Sequence, residues 1–238
     1  VYYARMHPSP SRQRSLLASL AYFDLFDYPL TLTELCRFRY GGEATGDERR
    51  AVNDVLQDLA GIPTGERDGF YFLEGRERIV GIRQRRYRLA EAKFAKARRA
   101  ARLLGLLPSV GLVAVCNSLA ISNADTESDI DLFVICRSGT LWTTRLLVVG
   151  LLHVFGLRPR PGSHADTFCM SFFLSADRLD ISDLALRPED TYLRYWIATL
   201  VPLYDAGGVM AAFRVANGWI TDKLPGVGKM ERGKEGKR

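Results

Sequence analysis

The chain has 238 residues, 47% of them hydrophobic, which is enough apolar content to bury a sizeable core without disulfides. Its net charge of +6 permits polyanionic partners without requiring them. Four widely spaced cysteines, Cys36, Cys116, Cys136 and Cys169, form no C-x-x-C pair and no zinc-type spacing. That pattern speaks against a disulfide framework or a structural zinc, and predicts free thiols in a reducing, cytoplasmic compartment.

Arg12 and Arg14 precede "SLLASLAYFDLFDYPL", whose acids and missing cleavage site argue against a secretory signal. Leu16, Leu17, Leu20, Phe23 and Leu25 form the apolar stripe of a first helix, which ends at Asp27-Tyr28-Pro29 because the residue before proline disfavours helix. Thr31 and Thr33 open a second short helix that Gly41-Gly42 stops, and a third runs from Asp47 to Leu59 on Val52, Val55, Leu56 and Leu59. Asp68-Gly69, set before the alternating "FYFL", signals a hairpin. Three helices and a hairpin over residues 12–76 resemble winged-helix modules in element order. Such a module would use the third helix for recognition, but its Arg49, Arg50 and Asn53 stand beside Asp47, Glu48, Asp54 and Asp58. DNA readers usually present a basic surface, so protein interaction and duplex binding both stay open.

Residues 77–106 read as a basic linker helix. Ile82, Leu89, Ala90, Phe94, Ala97 and Ala101 supply one apolar side, and Arg78, Arg83, Arg85, Arg86, Arg88, Lys93, Lys96, Arg98, Arg99 and Arg102 supply the charge. It is either a solvated connector or a surface for nucleic acid or nucleotide phosphates.

The third segment, 107–224, carries the chemistry. An apolar strand near Val110 to Cys116 leads to Asn117-Ser118 and a short helix, and then to a strand reading "SDIDLFVI". Successive strand residues face opposite ways, so Asp129 and Asp131 share one face. Two like charges held that close repel, and a hard divalent cation between their oxygens relieves the repulsion. A small polar turn between strand and helix presents backbone N–H groups to phosphate. The later "TFCMSFFLS", Thr167 to Ser175, is a further strand, and "LLVVGLLHVFGL" between the two reads as a buried crossover helix starting near Thr140, too short to span a membrane. Helices are expected from Pro188 to Leu200, with Tyr192, Tyr195, Trp196 and Leu200 packed on the sheet, and from Gly208 to Leu224. Residues 225–238, rich in Gly and Lys, read as a disordered basic tail.

From Ser109 to Ser175 the chain resembles the DNA polymerase beta-like nucleotidyltransferase superfamily. There an apolar strand ends in Gly-Ser or Gly-Gly, and an Asp-hydrophobic-Asp pair follows at about the separation of Ser118 and Asp129. The resemblance implies a mixed α/β (α+β) fold with a sheet flanked by helices, Mg2+ held by Asp129 and Asp131, and a nucleoside triphosphate held at Asn117, Ser118 and Ser128. It also implies transfer of a nucleoside monophosphate to a hydroxyl on a small molecule, nucleic acid or protein. Asn117 replaces the usual Gly, and Asn tolerates a left-handed backbone. The third carboxylate of the family has no counterpart within Thr167 to Ser175. Asp166 is the candidate for that role, with Asp177 or Ser171 as alternatives, so a catalytically weak nucleotide- or nucleic-acid-binding regulator is the competing reading.

Overall fold

A computed structural model describes residues 10–42, 47–159 and 164–228. The protein is a mixed α/β chain whose described residues divide into two compact units, one within 10–84 with 220–228 and the other within 85–219. The boundary therefore falls inside the expected linker helix, and the segment after residue 219 belongs to the first unit. Among the described residues no helix is long and apolar enough to cross a membrane.

The first unit begins with helix α1, Pro10–Asp24, which buries Leu16, Leu20 and Phe23. Leu25 lies beyond its end and is exposed. Strand β1, Leu30–Thr31, leads into helix α2, Leu32–Phe38, through a capping box: Thr31 Oγ1 accepts from the Glu34 backbone N–H and the Glu34 carboxylate accepts from the Thr31 N–H. Helix α3, Glu48–Leu59, is capped by Asp47 and followed by the hairpin β2, Thr64–Arg67, and β3, Phe70–Leu73. Asp68 and Gly69 both take positive φ, +55° and +77°, as a tight two-residue hairpin turn demands. The three strands form an antiparallel sheet in the order β1-β3-β2. Phe23 packs against both Tyr28 and Phe38, with ring centroids 5.5 Å apart and rings tilted by 37° in each pair.

Two polar clusters fix this unit. The bidentate pair of Arg83 with Glu34, at 2.8 and 2.9 Å, also receives the Tyr28 hydroxyl at 2.7 Å. Burial pushes the Glu34 carboxyl up, but the hydrogen bonds and charge of Arg83 outweigh it and leave the carboxyl below its ordinary range. Asp58, expected on the outer face of α3, is instead 0% exposed and binds Arg39 at 2.5 Å and Arg12 at 3.2 Å, while Leu56 takes the exposed position. A buried carboxylate is tolerable only when paired, and two guanidinium groups supply that pairing.

The expected disordered tail is corrected at its start. Val227 is buried, and a Cβ on Gly226 would collide with the Cys36 carbonyl oxygen; just before the tail, Leu224 is buried and the Gly41 N–H donates to the Lys223 carbonyl at 2.7 Å. Apolar side chains and a close backbone approach, both available to this short stretch, outweigh its Gly-rich composition. Residues 229–238 lie outside the described residues.

The second unit takes most of helix α4, Arg78–Leu104, followed by β4 (Val110–Val115), α5 (Asn117–Ala120), β5 (Ile130–Cys136), α6 (Leu141–Val154), β6 (Phe168–Ser175), α7 (Thr191–Thr199), β7 (Val201–Asp205) and α8 (Val209–Ala216). Its sheet has the order β6-β5-β4-β7 and is mixed: β5 and β6 run parallel, whereas β4 is antiparallel to both β5 and β7. The two faces of β5 are sorted by alternation. Ile130, Leu132, Val134 and Cys136 join Ala97, Ala101 and Leu104 of α4 and Val148 and Leu152 of α6 in one core. Phe133 turns the other way and meets Phe172, Trp196 and Phe213 at 5.3 to 5.9 Å.

Helix α4 is thus more than a connector, since its alanines are part of the core. The crossover helix α6 departs from expectation in the opposite sense. Only Thr144, Val148 and Leu152 are buried, and Trp142, Leu146 and Val154 face outward.

Candidate metal centre

Asp129 and Asp131 stand at the start of β5, both half-buried. The turn leading to them is built by Asp125, whose Oδ1 accepts from the backbone N–H groups of Glu127 at 3.1 Å and Ser128 at 2.9 Å and from the Ser128 hydroxyl at 2.8 Å. Ser128 Oγ in turn accepts from the Asp125 N–H at 3.0 Å. Ser128, read from sequence as a nucleotide contact, is therefore engaged in shaping the loop. The hydrogen bonds from Ser128 also keep the Asp125 carboxyl below its ordinary range.

Lys93 secures the same loop from α4. Its ammonium group, on a residue only 3% exposed, donates to the Ser128 carbonyl at 2.7 Å and to Asp166 Oδ1 at 2.8 Å. Lys96 reaches the other oxygen of Asp166 at 2.5 Å. Hydrogen bonds from these two lysines hold the Asp166 carboxyl below the usual carboxylate range. Asp166, the expected third acid, is thus committed to an ion pair and stands outside the converging donors described next. Asp177 lies beyond the far end of β6, where it accepts from the Ser175 hydroxyl.

The donor that does converge on the pair is Cys169. In the parallel pairing of β5 with β6, Asp131 is the register partner of Cys169. One ligand atom each from Asp129, Asp131 and Cys169 lies within 4.8 Å of the others. Ser171 donates its hydroxyl to Asp131 Oδ1 and lies 3.8 Å from Cys169 Sγ. On the opposite side of β5, the Cys116 N–H donates to the Asp131 carbonyl at 3.2 Å. Burial, together with the Asp131 charge, raises the pKa of Asp129, and burial pushes the thiols of Cys116 and Cys169 up. His164, which also influences Asp129, does not join the converging group.

At the end of β4, Asn117 adopts φ +55°, the left-handed conformation that its sequence position led us to expect. Its side-chain oxygen accepts from Trp196 Nε1 at 3.1 Å and from the Tyr192 hydroxyl at 3.3 Å, so that oxygen supports the turn. Ser118 follows, half-buried, and its carbonyl accepts from the Asn123 N–H at 2.8 Å. Because β4 and β5 are antiparallel with Val115 opposite Leu132, the Asn117-Ser118 turn lies alongside the Asp129–Asp131 segment.

These residues can hold a divalent cation. Two carboxylates suit Mg2+, which completes its shell with water and phosphate oxygens. A thiol does not suit Mg2+, so Cys169 falls outside that fit. Cys169 was not legible as a donor because its nearness to Asp131 depends on the pairing of two strands separated by a helix; an apolar strand with one polarizable residue level with the acids was the available signal. Compared with known protein families, curated proteins and solved structures, the chain finds no match.

Proposed function

We propose that the second unit is a nucleotidyltransferase-type site, which binds a nucleoside triphosphate through a divalent cation and moves its nucleoside monophosphate to a hydroxyl acceptor. The observation that carries this reading is the Asp129–Asp131 pair at the start of β5 beside the Asn117-Ser118 turn after β4, where Asn117 is left-handed. In this reading Asp129 and Asp131 hold the cation, and the Asn117-Ser118 turn, kept in shape by Trp196 and Tyr192, receives phosphate. Mg2+ fits the two carboxylates, and a cation bound there would offset charge on the phosphate oxygens. The order α1-β1-α2-α3-β2-β3 likewise supports reading the first unit as a winged-helix module.

A second reading has its own support. Cys169 faces Asp131 where the resemblance calls for an acid, and Asp166 is held by Lys93 and Lys96. Among the described residues no further carboxylate converges on the pair to serve as a general base, which favours nucleotide binding with slow or no transfer. For either reading, the exposed Arg85, Arg88, Arg98, Arg99 and Arg102 of α4 offer a surface to a nucleic-acid acceptor, and binding there should weaken steeply with salt.

Pyrophosphate release from each nucleoside triphosphate, measured with Mg2+ and with Mn2+ in the wild type and in an Asp129→Asn/Asp131→Asn variant, separates the readings. Release that the variant loses supports the transferase. Nucleotide binding without release supports the binding protein, and absence of both removes the nucleotide reading altogether.

A further inference from the structure

We infer that the group formed by Asp129, Asp131 and Cys169 is a site for a thiophilic divalent cation of the zinc class, with Cys169 Sγ as a direct ligand. The inference shares the carboxylate pair with the transferase reading, but it does not require a nucleotide.

Three observations carry it. First, two of the donors are placed by the sheet, and the third stands at the residue that enters it. Asp131 and Cys169 are register partners on paired parallel strands, and Asp129, just before β5, brings a carboxylate oxygen within 4.8 Å of both. Ligand atoms within 4.8 Å of one another are near the span that Zn–S and Zn–O bonds of about 2.3 and 2.0–2.2 Å bridge.

Second, the ion pairs of the nearby lysines go to another acid. Lys93 and Lys96 bind Asp166, and neither Asp129 nor Asp131 forms an ion pair with a described residue. Among the described residues Asp131 meets the neutral Ser171 hydroxyl and the Cys169 thiol, so the two carboxylates lie side by side without a cationic partner in direct contact, a place that a bound cation would fill.

Third, the donor set is mixed in hardness. Mg2+ takes oxygen ligands in near-octahedral geometry, whereas a thiolate beside carboxylates favours zinc and its neighbours in the first transition row. Coordination would displace the Cys169 thiol proton to solvent, so each ion bound would release a proton from the sulfur. The Cys at this position therefore changes which metal the site accepts.

The test uses the full chain, freed of metal with a chelator and titrated with Co2+ while sulfur-to-cobalt charge-transfer absorption is followed. Zn2+ and Mg2+ then serve as competitors. The wild type should show the absorption, Zn2+ should abolish it, and Mg2+ should leave it unchanged at the same concentration. Cys169→Ser should lose the absorption and weaken Zn2+ binding at least about tenfold. Cys169→Asp should keep divalent binding without the absorption and shift preference toward Mg2+. Circular dichroism of both variants establishes that they fold, and the Asp variant keeps the test decisive if the Ser variant does not. Bound Co2+ without the absorption, equal competition by Mg2+, or unaltered Zn2+ binding by a folded Cys169→Ser would overturn the inference. Charge-transfer absorption without nucleotide binding would leave this inference standing and remove the transferase reading, and Mg2+-dependent nucleotide binding without the absorption would do the reverse.

Discussion

Asp131 and Cys169 face each other across the parallel pairing of β5 and β6, with the Ser171 hydroxyl hydrogen-bonded to the Asp131 carboxylate. The relationship sets a carboxylate and a thiol side by side on adjacent strands. It also leaves Asp166, the acid nearest in sequence, to a different task.

That task is structural. Asp166→Asn should leave divalent-cation affinity within about threefold of the wild type, roughly 0.65 kcal/mol, because the side chain stands outside the converging donors. Titration calorimetry with Zn2+ and Mn2+ checks this, and a much larger loss would return Asp166 to the metal shell. The carboxyl is held below its ordinary range in the folded chain. Its contribution to stability is therefore present above the ordinary carboxylate pKa and fades as pH falls through the lowered value.

Lys93→Met should be the more damaging change. It removes donors from both the Ser128 carbonyl and Asp166 and leaves the loop before Asp129 without its anchor. A loss of about 2 kcal/mol in urea unfolding is expected, below the figure for a fully buried pair because Asp166 is 41% exposed. Cation affinity should drop with it, since the loop positions the first carboxylate.

Asn117 separates backbone strain from hydrogen bonding. Asn117→Gly keeps the φ of +55° available and loses the acceptor for Trp196, for a cost of about 1 kcal/mol. Asn117→Ala adds the left-handed penalty of about 1–2 kcal/mol. Thermal unfolding should therefore rank wild type above Gly above Ala, and a tie between the two variants would show that the turn is not strained.

In the first unit, Glu34→Ala should cost about 3 kcal/mol, because it leaves the guanidinium of Arg83 buried without its carboxylate and also removes the capping box. Glu34 is held below its ordinary pKa, so the wild type should lose this advantage as pH falls through that lowered value, and Glu34→Gln should show a flatter profile. Chemical unfolding at several pH values, read for each unit, checks the sign.

Local chemistry made much of this legible in the sequence. Thr31 with Glu34 marks a helix start, Asp68-Gly69 a hairpin, and the Asp-Ile-Asp run an acid pair at the entry to a strand. What was not legible depended on partners distant in sequence. The burial of Asp58 needs Arg39 and Arg12, which no periodicity reveals. Strand β7 was missed because Pro202 sits within it, yet β7 is the sheet edge and Pro202 pairs with Ala114 beside a register shift, where a missing N–H is tolerated. Cys169 looked like one more apolar strand residue until the register of β6 against β5 was known.

The central claim is that Asp129 and Asp131 bind a nucleotide through a divalent cation. Titration calorimetry of a non-hydrolysable nucleoside triphosphate into the wild type and into Asp129→Asn/Asp131→Asn, with and without Mg2+ or Mn2+, tests it most directly. Binding that requires the cation and disappears in the folded double variant is the predicted result; binding that is equal in both proteins, or independent of the cation, would contradict it.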